Sequence, residues 1–152
     1  MNNKIVLAFS GGLDTSFCVP YLKEKGYEVH TVMVNTGGFS AEEEKAIETR
    51  ALTLGAASHK NVNAVETYYS KGIRYLIYGN ILKNATYPLS VSSERVFQAL
   101  EVLRHVKEIG AGAVAHGSTG AGNDQVRFDI VFESLAPEVQ IIAPVRDEGL
   151  TR

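Results

Sequence analysis

Apolar positions along the chain come in two rhythms, short unbroken runs and helical stripes, and the two alternate. Residues 4–9 form an unbroken run that ends in a Ser-Gly-Gly turn, as a parallel strand buried on both faces does. Residues 15–25 carry Phe17, Val19 and Leu22 and stop before Gly26, which predicts a helix with Pro20 confined to its first turns. A second run, 28–34, predicts a second strand, after which Ser40 and Glu43 form a capping box opening a helix that closes at Gly55. Residues 60–65 predict a short third strand, and 66–78 a helix with Tyr69, Ile73, Leu76 and Ile77 on one face. Beyond a loop at 84–92, residues 93–109 set Val96, Phe97, Leu100, Leu103 and Val106 at helical spacing, with Gly110 closing the helix. A strand at 113–116, a glycine-rich loop at 117–123, a helix at 124–135 and a strand at 139–143 complete the pattern.

This alternation predicts an α/β domain over 1–152, a doubly wound parallel sheet with helices on both faces. Such sheets bind ligands beyond the carboxyl ends of their strands. The polar loops at 10–16 and 117–123 both follow strands, so both belong to that edge and predict a single shared site. Composition narrows the ligand. Hydrophobic residues make up 45% and charged residues 21%, an ordinary globular balance, and the net charge of -2 gives no general field for holding nucleic acid. Cys18 has no second cysteine to pair with, which makes a reducing cytoplasm the expected compartment. The first apolar run stops at Ser10, too short for a signal peptide or a membrane span.

The chemistry concentrates in Ser10-Gly11-Gly12-Leu13-Asp14-Thr15-Ser16, between a strand and a helix. Helix-start amides and the helix dipole can converge on one anion there, glycines let it approach, and Ser10, Thr15 and Ser16 add hydroxyls. Asp14 suits a magnesium ion or a helix cap rather than phosphate itself. No GxxxxGK[ST] is present, so there is no P-loop lysine. Gly110 to Ala115 fits G-x-G-x-x-A but follows a helix and enters a strand, the reverse of the dinucleotide-binding context.

The heptad fits SGGxD[ST]S and resembles the PP-loop of the N-type ATP pyrophosphatases, which cleave ATP between the α and β phosphates. Two further segments, Tyr87 to Arg95 and His116 to Phe128, resemble the argininosuccinate synthase family, and the likeness runs from Ile5 to Arg146. The resemblance implies a ligase of arginine biosynthesis that joins citrulline to aspartate, using ATP and Mg2+ and releasing AMP and pyrophosphate through a citrullyl-adenylate. It implies ATP against Ala8, Phe9, Ser10, Gly11, Gly12, Leu13, Asp14, Thr15 and Ser16, with Val34 on the adenine side and Gly117 nearby. Citrulline falls to Tyr87, Ser92, Asn123 and Arg127, and aspartate to Thr119, Asn123 and Asp124. Asp14, Ser16 and Asp124 are the implied catalytic residues, with no metal-ligand set assigned. The family also implies a homotetramer, and a second domain, absent from this chain, that completes both amino-acid sites.

Two positions depart from the family pattern: Ala121 stands where a lysine is common, and Asn35 where an aspartate is. Cys18, and Tyr68, Tyr69, Tyr75 and Tyr78, are expected to pack rather than react or stack on ligands. His116 suits either a phosphate donor or a hydrogen-bonded structural histidine. Other PP-loop enzymes, such as GMP or NAD synthetases and tRNA thiolases, and a non-catalytic ATP-binding module, are the rival readings. The segments at Tyr87 and Asn123 argue against the former.

Overall fold

The computed structural model describes residues 2–150. Its central sheet comprises β1 (Lys4–Ala8), β2 (Glu28–Asn35), β3 (Ser58–Asn63), β6 (Ala113–His116) and β7 (Gln140–Ile142). All pairings are parallel and the spatial order is β3-β2-β1-β6-β7. The chain therefore winds outward from β1 to β3, crosses back, and adds β6 and β7 on the other side of β1. The reversal of strand order falls between β1 and β6.

Alternation along the strands sends side chains to two separate cores. Ile5, Leu7, Val29 and Met33 join Cys18, Val19 and Leu22 of α1 (Leu13–Glu24), Ile47 and Ala51 of α2 (Ala41–Thr53), and Val145 of α7 (Pro144–Asp147). Val6, Val32, Val34 and Val114 face Ala99, Val102, Leu103 and Val106 of α5 (Ser90–Ile109), and Phe128, Val131 and Phe132 of α6 (Asp124–Leu135). The expected doubly wound sheet with helices on both faces is what forms. No helix among the described residues is long and apolar enough to cross a membrane.

Several boundaries differ from expectation. Helix α1 begins at Leu13, directly after the glycine turn, so Pro20 lies in its interior rather than in its first turns. Pro20 is on the solvent face, where water can satisfy the Ser16 carbonyl that the ring deprives of a donor. Strand β3 starts at Ser58 because its register is set by β2, from His30 beside Ser58 to Asn35 beside Asn63. Helix α5 starts at Ser90, three residues before the expected Ser93.

The largest departure is in the expected 66–78 helix. It breaks into α3 (Val65–Tyr68), a π-helical turn (Tyr69–Ile73) and α4 (Arg74–Tyr78). Tyr68, at the end of α3, rather than Tyr69 meets α5, and the wider turn follows it. The Tyr68 ring lies 5.0 Å from that of Phe97, and its hydroxyl donates to the Ser90 carbonyl at 2.5 Å. Tyr69, Tyr75, Ile77 and Tyr78 are exposed, against the expectation that they pack. A short hairpin of β4 (Leu82–Lys83) and β5 (Tyr87–Pro88) follows within the expected loop.

Phe132 is fully buried, its ring tilted against those of Phe128 at 5.7 Å and His116 at 6.5 Å beneath the β6 end. Phe132→Ala is expected to lower unfolding free energy by about 3–5 kcal/mol in urea titrations, the usual result for a large buried aromatic. A loss below about 1 kcal/mol would show that this core does not support the β6 end.

Candidate functional site

Strand β1 delivers its chain to the reversal point through a sharp turn. Phe9 N–H still reaches the Val32 carbonyl at 2.8 Å, and then Gly11 takes φ +72°, a conformation that a side chain would strain. Arg50 of α2 donates to the Gly11 carbonyl and fixes the turn from behind. Gly12 is the N-cap of α1 and supplies no capping side chain, so the first-turn amides of this 12-residue helix have no cap acceptor from it. Ser10 and Thr15 hydroxyls lie 3.3 Å apart over this opening, and Thr15 Oγ donates back to the Gly12 carbonyl at 3.3 Å.

The loop after β6 packs directly on this turn. A Cβ at Gly117 would lie 2.9 Å from Thr15 Cγ2 and 3.1 Å from the Thr15 nitrogen, so only glycine allows the two loops to meet without displacement. His116 anchors the base of that loop. It is 1% exposed, its Nδ1 accepts from Ser118 N–H at 3.3 Å, and its Nε2 is 3.0 Å from Asp129 Oδ1. Accepting at Nδ1 and donating at Nε2 defines a neutral imidazole, and desolvation holds its pKa below the ordinary value despite Asp129. His116 is thus structural, which decides between the two roles the sequence allowed.

Together the loops open onto a cleft of about 1050 Å³. Its apolar depth is formed by Ala8, Phe9, Val32, Val34, Val102 and Phe128, and its polar rim by Ser10, Gly12, Asp14, Thr15, Gly117, Ser118 and Thr119. Asp124, also on the wall, is held between two guanidinium groups, with Oδ2 3.2 Å from Arg95 Nε and Oδ1 2.7 Å from Arg127 Nη1. Arg127 also donates to Ser92 Oγ at 3.0 Å, joining α6 to the start of α5.

Most of the residues singled out in the sequence converge here. Ala8, Phe9, Ser10, Gly12, Leu13, Asp14, Thr15, Val34, Gly117, Thr119 and Asp124 line the cleft. Gly11 is buried behind the turn, and Ser16 hydroxyl points back to the Gly11 carbonyl at 3.5 Å. Ser92 and Arg127 stand behind Asp124 rather than on the wall, and Asn123 caps α6 without a side-chain cap bond. Tyr87, half exposed, sits on the small hairpin away from the wall.

Sequence reasoning assigned no role to Glu94, Arg95, Gln98 or Arg146, all of which line the cleft. Arg95 donates to Gln98 at 2.9 Å, one turn along α5, a spacing that marks a shared helical face. Arg146 follows β7 at the carboxyl edge, where the position alone marks it. Of the two departures, Asn35 donates to the Phe39 carbonyl at 2.8 Å and to Glu44 Oε1 at 2.6 Å. An aspartate would face two acceptors there, so Asn35 and Glu44 are mutually adapted. Ala121 lies on the cleft wall without a charge. Cys18 is buried, and desolvation, reinforced by Asp14, pushes its thiol up to about 12, as befits a packing residue.

A parallel sheet with an uncapped helix start and a second loop at its strand-order reversal defines a doubly wound α/β domain whose open edge lies where such folds take their ligands. The chain belongs to the family described as the arginosuccinate synthase N-terminal HUP domain, whose model matches residues 4–152. It is 48% identical over 143 residues to an argininosuccinate synthase of Xanthomonas axonopodis pv. citri, covering 94% of this chain and 34% of that protein. It is 44% identical over 151 residues to one from Pyrobaculum aerophilum, covering 99% and 38%. The chain thus spans about a third of the length of the curated relatives it matches. Among solved structures, a predicted subunit of tRNA methyltransferase from Methanocaldococcus jannaschii superposes with TM-score 0.60 at 20% identity, over 94% of this chain and 68% of that one. An NH3-dependent NAD synthetase from Campylobacter jejuni gives 0.59 at 14%, over 78% and 48%. These two likenesses show the fold alone.

The neutral, buried His116 ties stability to pH. Its folded pKa lies below the 6.5 of the free side chain, so the unfolded chain takes up a proton first as pH falls. Its contribution is complete above that value and is lost progressively below it. Urea titrations at pH 7.5 and 5.5 should show lower stability at 5.5, and His116→Gln should shrink the difference. An undiminished difference in the variant would place the pH dependence elsewhere.

Proposed function

We propose that this chain is the ATP-holding part of an AMP-forming ligase that joins citrulline to aspartate and releases pyrophosphate. One observation carries the reading: an uncapped helix start with no lysine opens onto the same cleft as a carboxylate clasped by two guanidinium groups. A triphosphate suits the first feature and a zwitterionic amino acid the second. Family membership supports the specific pairing of citrulline with aspartate. Homotetramer formation and a cytoplasmic location belong to the same proposal.

Adenine fits the apolar depth beside Val34, and the phosphates reach the amides of Gly12 to Thr15 and the Ser10 and Thr15 hydroxyls. Asp14 lines this end and would hold magnesium, a single carboxylate being enough when phosphate oxygens complete the shell. Magnesium held there would supply charge neutralisation for a departing pyrophosphate. The helix dipole and loop amides would act on the same developing charge. Arg127, with Ser92, Asn123 and Tyr87, would hold citrulline so that its ureido oxygen attacks the α-phosphate. Asp124 and Thr119, with Asn123, would hold aspartate, whose amine then displaces AMP. The Asp124 carboxylate uses two lone-pair sites on Arg95 and Arg127, leaving room for an ammonium donor. Catalysis on this account is positioning and charge neutralisation, without a general base assigned.

Calorimetry on the chain should give binding of Mg-ATP that Gly12→Val abolishes. A Cβ at Gly12 approaches only Ser10 Oγ, at 3.5 Å, so the variant should keep its fold and lose only the space for phosphate. Equal affinity in both forms would defeat the loop assignment. The amino-acid assignment is tested in the Xanthomonas synthase with its matching third replaced by this chain. There Asp124→Asn should keep citrulline-dependent exchange of pyrophosphate into ATP, while aspartate-dependent turnover falls by about 1.5–3 kcal/mol of transition-state binding. Parallel loss of both would assign Asp124 to the loop or the metal instead.

A further inference from the structure

We propose that Arg146 is a ligand of the pyrophosphate end of the bound nucleotide, a role that rests on the ATP reading above. Neither glycine-rich loop, 10–16 or 117–123, contains a lysine or arginine. A triphosphate there would meet amides, hydroxyls and the carboxylate of Asp14, but no loop cation. The cationic side chains lining the cleft, among the described residues, are Arg95 and Arg146. Arg95 is engaged with Gln98 at 2.9 Å and with Asp124 at 3.2 Å, the carboxylate that the reading above gives to aspartate. That leaves Arg146 for the phosphates.

Its placement fits the task. Arg146 belongs to α7, which packs on α1, the helix whose start forms the anion opening. A Cβ on Gly120 would lie 3.7 Å from Arg146 Cγ, so the arginine stem runs along the second loop. The guanidinium is anchored on one side: Nη1 meets Asp129 at 2.5 Å and Gln125 at 3.4 Å, and Nε meets Asp147 at 3.0 Å. Its Nη2 makes no hydrogen bond among the described residues, and the side chain remains 27% exposed. A guanidinium held by carboxylates behind and open in front is preorganised to present the remaining N–H groups to an anion. Gln125 also donates to the Gly120 carbonyl at 2.7 Å, so the same group steadies the loop it would reach across.

Because the group is assigned to the β and γ phosphates, its effect should depend on which part of the nucleotide is present. Calorimetry on the 152-residue chain compares Mg-ATP, Mg-pyrophosphate and AMP. Arg146→Gln should weaken Mg-ATP and Mg-pyrophosphate about tenfold, roughly one charge-assisted hydrogen bond, and leave AMP unchanged. In the unsubstituted chain, the Arg146 Nε–H resonance, assigned through Arg146→Lys, should move on addition of Mg-pyrophosphate and stay in place with AMP. That second measurement does not depend on Arg146→Gln folding. Equal loss for ATP and AMP, or an Nε–H resonance indifferent to pyrophosphate, would make Arg146 a purely structural partner of Asp129 and overturn the proposal. Failure of the unsubstituted chain to bind any of the three would overturn the nucleotide reading and this proposal together, whereas intact ATP binding in Arg146→Gln would overturn this proposal alone.

Discussion

Everything at the carboxyl edge of this sheet depends on the close approach of Gly117 to the backbone of Thr15. Two loops from neighbouring strands have to share one opening, and a side chain at position 117 would come within 2.9 Å of Thr15 Cγ2. The approach is possible because β1 and β6 are paired in register, from Ile5 beside Ala113 to Ala8 beside His116. Their loops therefore leave the sheet at the same height. Had strand order not reversed there, a crossover helix would lie between those loops. Strand order, a missing Cβ and an uncapped helix start are parts of one geometric solution.

Charge in the cleft comes from several elements. The two glycine loops carry no lysine or arginine of their own. The cluster around Asp124 gathers Arg95, Arg127 and Ser92 from two helices. Helices α5 and α6 can bring these groups together because both cover the same face of the sheet and share the core of Val102, Val106, Phe128 and Phe132. His116 links β6 to α6 and α7: it stacks on Phe128 at 5.5 Å, and its Asp129 partner also holds Arg146. Its burial as a neutral ring lets it do this without bringing an uncompensated charge into the core.

Much of this was legible in the residues because periodicity and turn chemistry are local. The run 4–9, the glycine turn, the Ser40–Glu43 capping box and the stripe ending at Gly110 located β1, α1, α2 and α5, and the alternation gave the doubly wound sheet. The capping box is present as read, with Glu43 N–H on Ser40 Oγ and Ser40 N–H on Glu43 Oε2. What escaped was set by tertiary contact. The π turn after Tyr68 follows from packing against Phe97, which sequence spacing does not register. Strand β3 is polar at every position but Val62, and its limits come from pairing with β2. Arg146 carries no motif and gains meaning only when α7 is seen to pack against α1. The loop residues were recognised as a set, yet Ser16 and Gly11 turn out to shape the opening from behind while Gly12 and Thr15 face it.

The central claim is that the two loops form one nucleotide site at the reversal point. It is tested most directly by amide chemical shifts of the 15N-labelled chain on titration with magnesium and an ATP analogue that cannot be cleaved between the α and β phosphates. Gly11, Gly12, Leu13 and Thr15 on the first loop, and Gly117 and Ser118 on the second, should shift together with one saturation curve, along with Val34 on the base side. Shifts confined to one loop, or two loops saturating at different concentrations, would contradict a single shared site.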